Sequence, residues 1–413
     1  MLQLFKVAWR SVGRSRRRSI ISVGAIAFAL AIAIFFVAFA EGAYAQMVET
    51  AARMGAGHVT IEHAAYRDAP AVDLVVTDVS GLLRQLRELK GVERTKLLIH
   101  GQGVARSSGG SAGIAVVGVE PAVEQESGSA VARRIVEGAY LAADRLDDRG
   151  AVIGRALARR LKVGVGNKMV LVANDASGTV VEELVRVRGI FDTGADELDG
   201  YLVQVPLGFA RRLYGLASGA ATQVGVVLAD PDAGGAVLGR IAPLLAPRAA
   251  VALPWERVLP ELAAYIRLDR GSNDVMMGIL LLLSLFTIFN TILMSLLERT
   301  REFAVLLALG TDPRRLRGQL VLESALLGLM GCVLGAIVGG AAAGWLQVHG
   351  LDMSQLYPDG VSVSGLALDS MMYARVTPGL LLGLGGLVFV AIVLISFISG
   401  RRISAIDVAG VLR

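Results

Sequence analysis

"LLERTREFAVLLALGTDPRRLRGQL", residues Leu296–Leu320, is a mixed-charge segment caught between two apolar runs. Upstream, Val275–Leu297 has 23 residues without a charge; downstream, Ser324–Gly350 has 27 with only His349 titratable. Two more such runs follow outward, Ser19–Ala40 with 22 residues and Val376–Gly400 with 25. Each exceeds the roughly 20 residues that an α-helix needs to cross a ~30 Å hydrocarbon layer. Four runs of this length in one 413-residue chain do not fit the buried helices of a soluble core. The fold class expected is therefore an α-helical membrane protein with four transmembrane helices. A large mixed α/β extracytoplasmic domain is expected between the first and second helices.

Charge sets the expected orientation. Before the first span, Lys6, Arg10, Arg14, Arg16, Arg17 and Arg18 face no acid. Arg299, Arg301, Arg314, Arg315 and Arg317 follow the second span, and Arg401, Arg402 and Arg413 follow the fourth. The segment after the third span has Asp352, Asp359 and Asp369 against Arg375 alone. Basic flanks stay on the cytoplasmic side, so both termini and the 298–318 loop read as cytoplasmic in a bacterial inner (cytoplasmic) membrane. The net charge of +5 thus reports topology, and no nucleic-acid partner is needed to explain it. The first apolar run is longer than the roughly 7–15 residues of a signal-peptide core, which favours a retained anchor, with cleavage at the small residues of "AFAEGAYAQ" as the alternative.

The expected organisation follows. Residues 1–18 form a cytoplasmic amphipathic interfacial helix, with Leu2, Phe5, Trp9 and Val12 along one side. Residues 19–40 are transmembrane helix 1, 41–271 the extracytoplasmic domain, and 272–297 transmembrane helix 2. "PELAAYIRLDR" at Pro260–Arg270 extends that second span as a helical stalk. Residues 298–312 form a short cytoplasmic helix, 313–350 transmembrane helix 3, and 351–375 a short outer loop. Transmembrane helix 4 takes 376–400 and a cytoplasmic tail 401–413. Within the domain, "GHVTIE", "IAVVGVE", "KMVLVAND", "LVRVRGIF" and "TQVGVVLAD" read as strands. "VSGLLRQLREL", "GRALARRLK" and "GFARRLYGL" read as helices between them. "NDASG" joins two of the strands as a hairpin turn, while the stretch around Gly109–Gly118 reads as a loop followed by a strand.

Chemistry-bearing motifs are scarce. No G-x-x-x-x-G-K-[ST] loop is present, and the nearest string, Val163–Lys168, puts Asn167 before its lysine. No G-x-S-x-G or H-E-x-x-H pattern appears. Cys332 is the one cysteine, and His58, His63, His100 and His349 form no ligand set. No catalytic residue, cofactor or metal is expected on this chain, and it is not an enzyme by this reading.

What remains is mechanical. After Leu297, helix propensity runs on to Gly310, a normal C-terminal stop, and Thr311 or Asp312 then caps a helix whose first residue is Pro313. Phe303, Leu306, Leu307 and Gly310 recur at i, i+3, i+4 and i+7, one apolar face. Glu298, Arg299, Arg301 and Glu302 crowd its start; charges of both signs favour a protein partner over a lipid surface. Glu323 is either a carboxylate near the interface or the buried partner of an arginine in this region. Gly331, Gly335 and Gly339, with Gly328 and Ala343 nearby, make a small-residue ridge for close helix packing. Asn290 is the other intramembrane polar residue, satisfied locally or by a neighbouring helix.

The segment Glu298–Gly340 resembles the FtsX-like permease domain of ABC transporters. The resemblance rests on Glu298, Arg299, Glu302, Phe303, Ala308, Gly310, Glu323, Gly331, Gly335 and Gly339. Val152–Leu216 is similar to the MacB-type periplasmic core domain, although Asn167 stands where that family has aspartate. "SAIDVAGVLR" at the end resembles the family's "DPVEALR" tail. The resemblance implies a permease subunit of the mechanotransmission type that works as a homodimer or a heterodimer with a related permease. Such a subunit sits on an ABC ATPase dimer, which binds the ATP and Mg. The short cytoplasmic helix is then the coupling helix. "GAGHVTIEHAAYRDAP" after the first span looks most like the lipoprotein-releasing LolC/LolE group, with a lipoprotein substrate and a periplasmic carrier or adaptor as partners. MacB-like efflux of peptides, toxins or drugs and FtsX-like regulation of cell-wall hydrolases are the alternatives.

Overall fold

The structure, a computed structural model, describes residues 16–143, 148–246, 248–353, 361–363, 366–368 and 371–401. The interfacial helix expected over 1–18 lies, up to residue 15, outside the described residues, as does the tail beyond Arg401. The described residues fall into two compact units. One comprises the residues up to Tyr44, Ile266–Asp352 and those from Met371 onward; the other comprises Ala45–Tyr265 and residues of Met353–Ser370.

Helix α1, Arg16–Met54, supplies residues to both units. The helix runs on past Ala40, where the uncharged run ends, because "EGAYAQMVETAARM" contains no proline and only one glycine to break it. Strand β1 (Val59–His63), helix α2 (Val79–Arg87), the long strand β2 (Val92–Ser107) and β3 (Gly110–Val119) come next. Helix α3 (Pro121–Ser127), β4 (Ile135–Gly138), β5 (Gly150–Gly154) and helix α4 (Arg155–Leu161) precede the hairpin of β6 (Lys168–Asn174) and β7 (Val180–Phe191). β8 (Leu202–Pro206), helix α5 (Leu207–Leu213), β9 (Gln223–Leu228), helix α6 (Gly234–Leu245) and β10 (Ala250–Pro254) complete the domain.

The strands form one mixed sheet in the order β10-β1-β9-β2-β3-β8-β5-β7-β4, with β6 bridging β2 and β7. Along one edge β2 pairs β9 through its first half and β6 through Val104–Arg106. Its partnership with β6 closes β2, β3, β8, β5, β7 and β6 into a ring, which leaves these strands no free edge. The expected β6–β7 hairpin is present, with Asn174 opposite Val180. Gly109–Gly118 proves to be mostly strand β3, paired with β2 from Ser107↔Gly110 to Leu98↔Val119.

Strand alternation gives the sheet two unlike buried faces. Ile61, Leu97, Ile99, Val116, Ile153 and Val203 face a large apolar core. That core is filled by Leu82 and Leu86 of α2, Leu157 and Leu161 of α4, Phe209 and Leu213 of α5 and Val237 and Ile241 of α6. Each fully buried residue of this kind contributes about 1.5–3 kcal/mol before chain entropy is counted. The opposite face has Leu98, Val117, Val119, Val152 and Leu202, but also the buried polar side chains Thr60, Glu62, Lys96, Gln204 and Gln223.

In the other unit, helix α7 (Pro260–Glu298) includes the expected stalk, and a short helix α8 (Thr300–Ala308) follows it. Helix α9 (Pro313–His349) and helix α10 (Pro378–Gly400) come after. With α1, three of these make four helices among the described residues that are long and apolar enough to cross a membrane. Ile26, Leu30 and Ile34 of α1, Ile288 and Ile292 of α7, Cys332 of α9 and Val388 and Ile392 of α10 share one core. At the other end of the α1–α7 pair, the Tyr44 hydroxyl donates to Asp269 Oδ2 at 2.7 Å and Arg270 Nη2 donates to Glu41 Oε2 at 2.8 Å. The segment 351–375, expected as a short outer loop, contains two small antiparallel pairs. Leu351–Asp352 pairs with Met371–Met372, and Val361–Val363 with Leu366–Leu368.

Candidate functional site

The junction of α7, α8 and α9 is organised by Arg299. Helix α7 ends at Glu298 because Arg299 leaves helical geometry, with φ −99 and ψ 6, and becomes the N-cap of α8. Its carbonyl accepts the first intrahelical bond, from Phe303 N at 3.0 Å. Its guanidinium reaches back to α9, where Nη1 donates to Glu323 Oε2 at 2.9 Å. Nε donates to Glu302 Oε2 at 3.2 Å, and the guanidinium carbon lies 5.2 Å from the Phe303 ring centroid. Glu323 is only 4% exposed. A carboxylate there without a cationic partner would be costly to desolvate, so of the two readings of Glu323 the geometry selects the paired one.

The apolar face read from spacing is split. Phe303, 2% exposed, turns inward and packs with Leu296, Leu316 and Leu320, with Leu307 at the edge of that cluster. Phe303 is therefore not available to a partner, and this corrects the expected contact face. The exposed side consists of Val305, Leu306 and Leu309, together with Glu298, Arg301 and Glu302. Leu309, at 78% exposure, and Val305 fall outside the set that helical spacing from Phe303 selects, which mixes inward Phe303 with exposed Leu306. Gly310, at φ +84, ends α8, and Asp312 caps α9 by accepting from Arg314 N at 2.8 Å, ahead of Pro313.

The small-residue ridge of α9 lies against α1 of the same chain. A β-carbon on Gly331 would meet Ile26 Cγ2 at 2.6 Å, one on Gly335 the Ala27 carbonyl oxygen at 2.7 Å, and one on Gly339 the Ala31 Cα at 2.7 Å. Gly328 instead meets Ile392 of α10. Asn290 is exposed on α7 and forms no interhelical hydrogen bond among the described residues. Between α1, α7 and α10 lies a groove of about 490 Å³, lined by apolar side chains such as Leu30, Ala33, Met277 and Leu281, with Asp274 at one end.

In the sheet domain His58 and His100 are enclosed by protein. His58 Nδ1 accepts from Leu228 N at 3.1 Å, which leaves Nε2 to donate to Glu49 at 3.1 Å. Burial lowers the His100 imidazole to about 4, with the positive Arg67 as a second cause. Burial also pushes the Asp199 carboxyl up to about 6, against the hydrogen bonds it accepts from Thr193.

Comparison with known proteins adds two family matches. The MacB-like periplasmic core domain matches residues 19–244, and the FtsX-like permease C-terminal domain matches residues 275–408. The lipoprotein-releasing system transmembrane protein LolC of Neisseria meningitidis serogroup B is 24% identical over 285 residues, 66% of each chain. LolC of Xylella fastidiosa (strain Temecula1) is 21% identical over 254 residues, 55% of this chain and 60% of that one. The chain thus spans just under two thirds of the length of these relatives. Among solved structures, the periplasmic region of MacB from Actinobacillus actinomycetemcomitans matches at 11% identity and a TM-score of 0.38. That match covers 50% of this chain and 93% of the other.

Proposed function

This chain belongs to the ABC-transporter permeases that join a MacB-like periplasmic core domain to an FtsX-like permease domain, and from that premise we propose that it releases lipoproteins from the inner membrane toward the outer membrane. Permease subunits of this family are not themselves catalytic. ATP and Mg are bound by a separate ABC ATPase dimer, which docks on the exposed side of α8 through Val305, Leu306 and Leu309 and the charges around them. Both termini and α8 lie in the cytoplasm, and the sheet domain lies outside the inner membrane. ATP-driven movement at α8 passes through Arg299 to Glu323 on α9 and along the helices to that domain. The chain acts as a dimer with itself or a related permease and hands its cargo to a periplasmic carrier.

One observation supports a lipid-modified cargo over a soluble one: the groove of about 490 Å³ is walled almost wholly by apolar side chains. Acyl chains lie against such a surface without losing any hydrogen bond, whereas a polar peptide would bury unpaired amides there. The relatives named as lipoprotein-releasing point the same way. The test is reconstitution of the permease and its ATPase in vesicles loaded with a triacylated lipoprotein, with a soluble acceptor outside. ATP-dependent appearance of the lipoprotein in the soluble fraction is the expected result. ATP hydrolysis with the lipoprotein retained, and a peptide or drug exported instead, would overturn it in favour of efflux.

A further inference from the structure

The last turn of α1 poses a joint problem. The helix ends at Met54, and only Gly55, Ala56, Gly57 and His58 separate it from β1. Gly57 sits at φ +85, so the covalent connection is a short glycine-bearing bend. Just past that bend His58 N donates to Val226 O at 2.9 Å, so the chain is anchored on the sheet there, while the last turn of the helix needs a hold of its own.

Polar contacts bypass the bend. Of the carbonyls that a helix end leaves without an intrahelical donor, Ala51 O accepts from Gly55 N at 2.9 Å and Ala52 O from Gly57 N at 3.1 Å. Arg53 O accepts from the ammonium of Lys96, at 2.7 Å. Lys96 stands on β2, is 1% exposed, and is paired at 2.9 Å with Glu124 of α3, itself 3% exposed. A cation at a helix C-terminus also lies favourably in the helix dipole. One turn earlier Glu49 meets His58, whose ring is fixed by Leu228 N of β9. Stability alone is a poor reason for this arrangement, because a buried ion pair is commonly matched or bettered by apolar residues of the same volume. What an apolar pair lacks is a donor that holds the helix end.

We propose that Lys96, oriented by Glu124 and assisted by the Glu49–His58 pair, clamps the last turn of α1 to the sheet. Lys96 is then the positioning residue through which movement of this helix reaches the domain. The mechanical half of this proposal rests on the permease reading above.

The experiment uses the full chain with its ATPase, in a Cys332→Ser background, carrying spin labels at Thr50→Cys and Ala176→Cys. Lys96→Met alone strands Glu124 without its cation and is the variant prone to misfold, so the pair Lys96→Met/Glu124→Leu is tested beside it, with and without Glu49→Ala. The double variant should keep its melting midpoint and its ATPase rate within twofold. Its label-to-label distance distribution should at least double in width, broadening further with Glu49→Ala, and ATP-driven lipoprotein release should fall at least tenfold. An unchanged width in the triple variant, or undiminished release, would overturn the clamp. If the unsubstituted complex releases no lipoprotein, the substrate reading fails alone, and the distance widths still decide the clamp.

Discussion

Arg299 and Glu323 are where single-residue chemistry is most exposed to test. Their 2.9 Å bond joins a guanidinium with 20% of its side chain accessible to a carboxylate with 5%. The Arg299–Glu302 contact, by contrast, ends on a side chain 60% accessible. Solvent screening makes the second bond worth about 0–1 kcal/mol, whereas losing the charged hydrogen bond to Glu323 costs about 1.5–3 kcal/mol. Glu323→Ala should therefore lower the melting midpoint of the purified permease and weaken ATPase coupling, whereas Glu302→Ala should leave the melting midpoint unchanged. The exchange Arg299→Glu/Glu323→Arg should recover part of the loss. Asp199 makes a pH-dependent prediction in the sheet domain. Its carboxyl is raised from 3.8 to about 6, chiefly by burial, so the folded state holds the proton more tightly than the unfolded chain does. The resulting stability is fully present below pH ~3.8 and is lost as pH climbs through ~6, by about 1–3 kcal/mol. Hydrogen exchange at the Thr193 amide, corrected for its intrinsic rate, should accelerate over that interval, and Asp199→Asn should flatten the dependence.

Among the elements, the α1–α9 contact and α8 answer to different physics. A side chain at Gly335 would drive its β-carbon into the Ala27 carbonyl, and backbone cannot yield as a flexible side-chain tip can. Gly335→Leu should cost about 1–3 kcal/mol or more through forced separation of the helices. Gly344→Leu on the same helix meets nothing within 4 Å and should leave the melting midpoint unchanged. On α8, Leu306→Glu with Leu309→Glu should abolish stimulation of the ATPase while the purified permease melts normally. Phe303→Glu should instead lower the melting midpoint, since Phe303 is 2% exposed in the cluster with Leu296, Leu316 and Leu320. The sequence made the long helices legible because a run of 22 or more uncharged residues has few other physical uses. It did not make strand β2 legible over its 16 residues, since "HGQG" interrupts the alternation that marks a strand. Nor could helical period tell which half of the α8 face packs inward; that depends on Leu316 and Leu320, more than a turn beyond the Gly310 break. Lys96 escaped notice for a related reason: one lysine in "VERTKLLIHG" reads as a solvated strand residue until Glu124 and the Arg53 carbonyl are brought to it.

At the scale of the whole molecule, the proposed orientation in the membrane rests on the placement of arginine. Moving one arginine to the bilayer centre costs about 2.5–3.5 kcal/mol on insertion scales. Arg314, Arg315 and Arg317 lie together at the start of α9, while the 351–375 segment has only Arg375. Reversing the chain would carry that basic cluster outward, together with Arg299 and Arg301, against the bias that retains short basic loops in the cytoplasm. The sheet domain, long and self-contained, places no comparable demand and follows the helices that bracket it. A membrane-impermeant maleimide offered to intact spheroplasts, in a chain with Cys332→Ser, reads the orientation directly. Ser177→Cys, in the exposed β6–β7 turn, should react without permeabilisation, and Arg315→Cys should react only after detergent is added. Equal protection of both thiols would mean that the domain is not outside. Reaction of Arg315→Cys alone would place α8 on the outer face, where no nucleotide is supplied, and the route for ATP-driven movement from α8 to the domain would have to be abandoned.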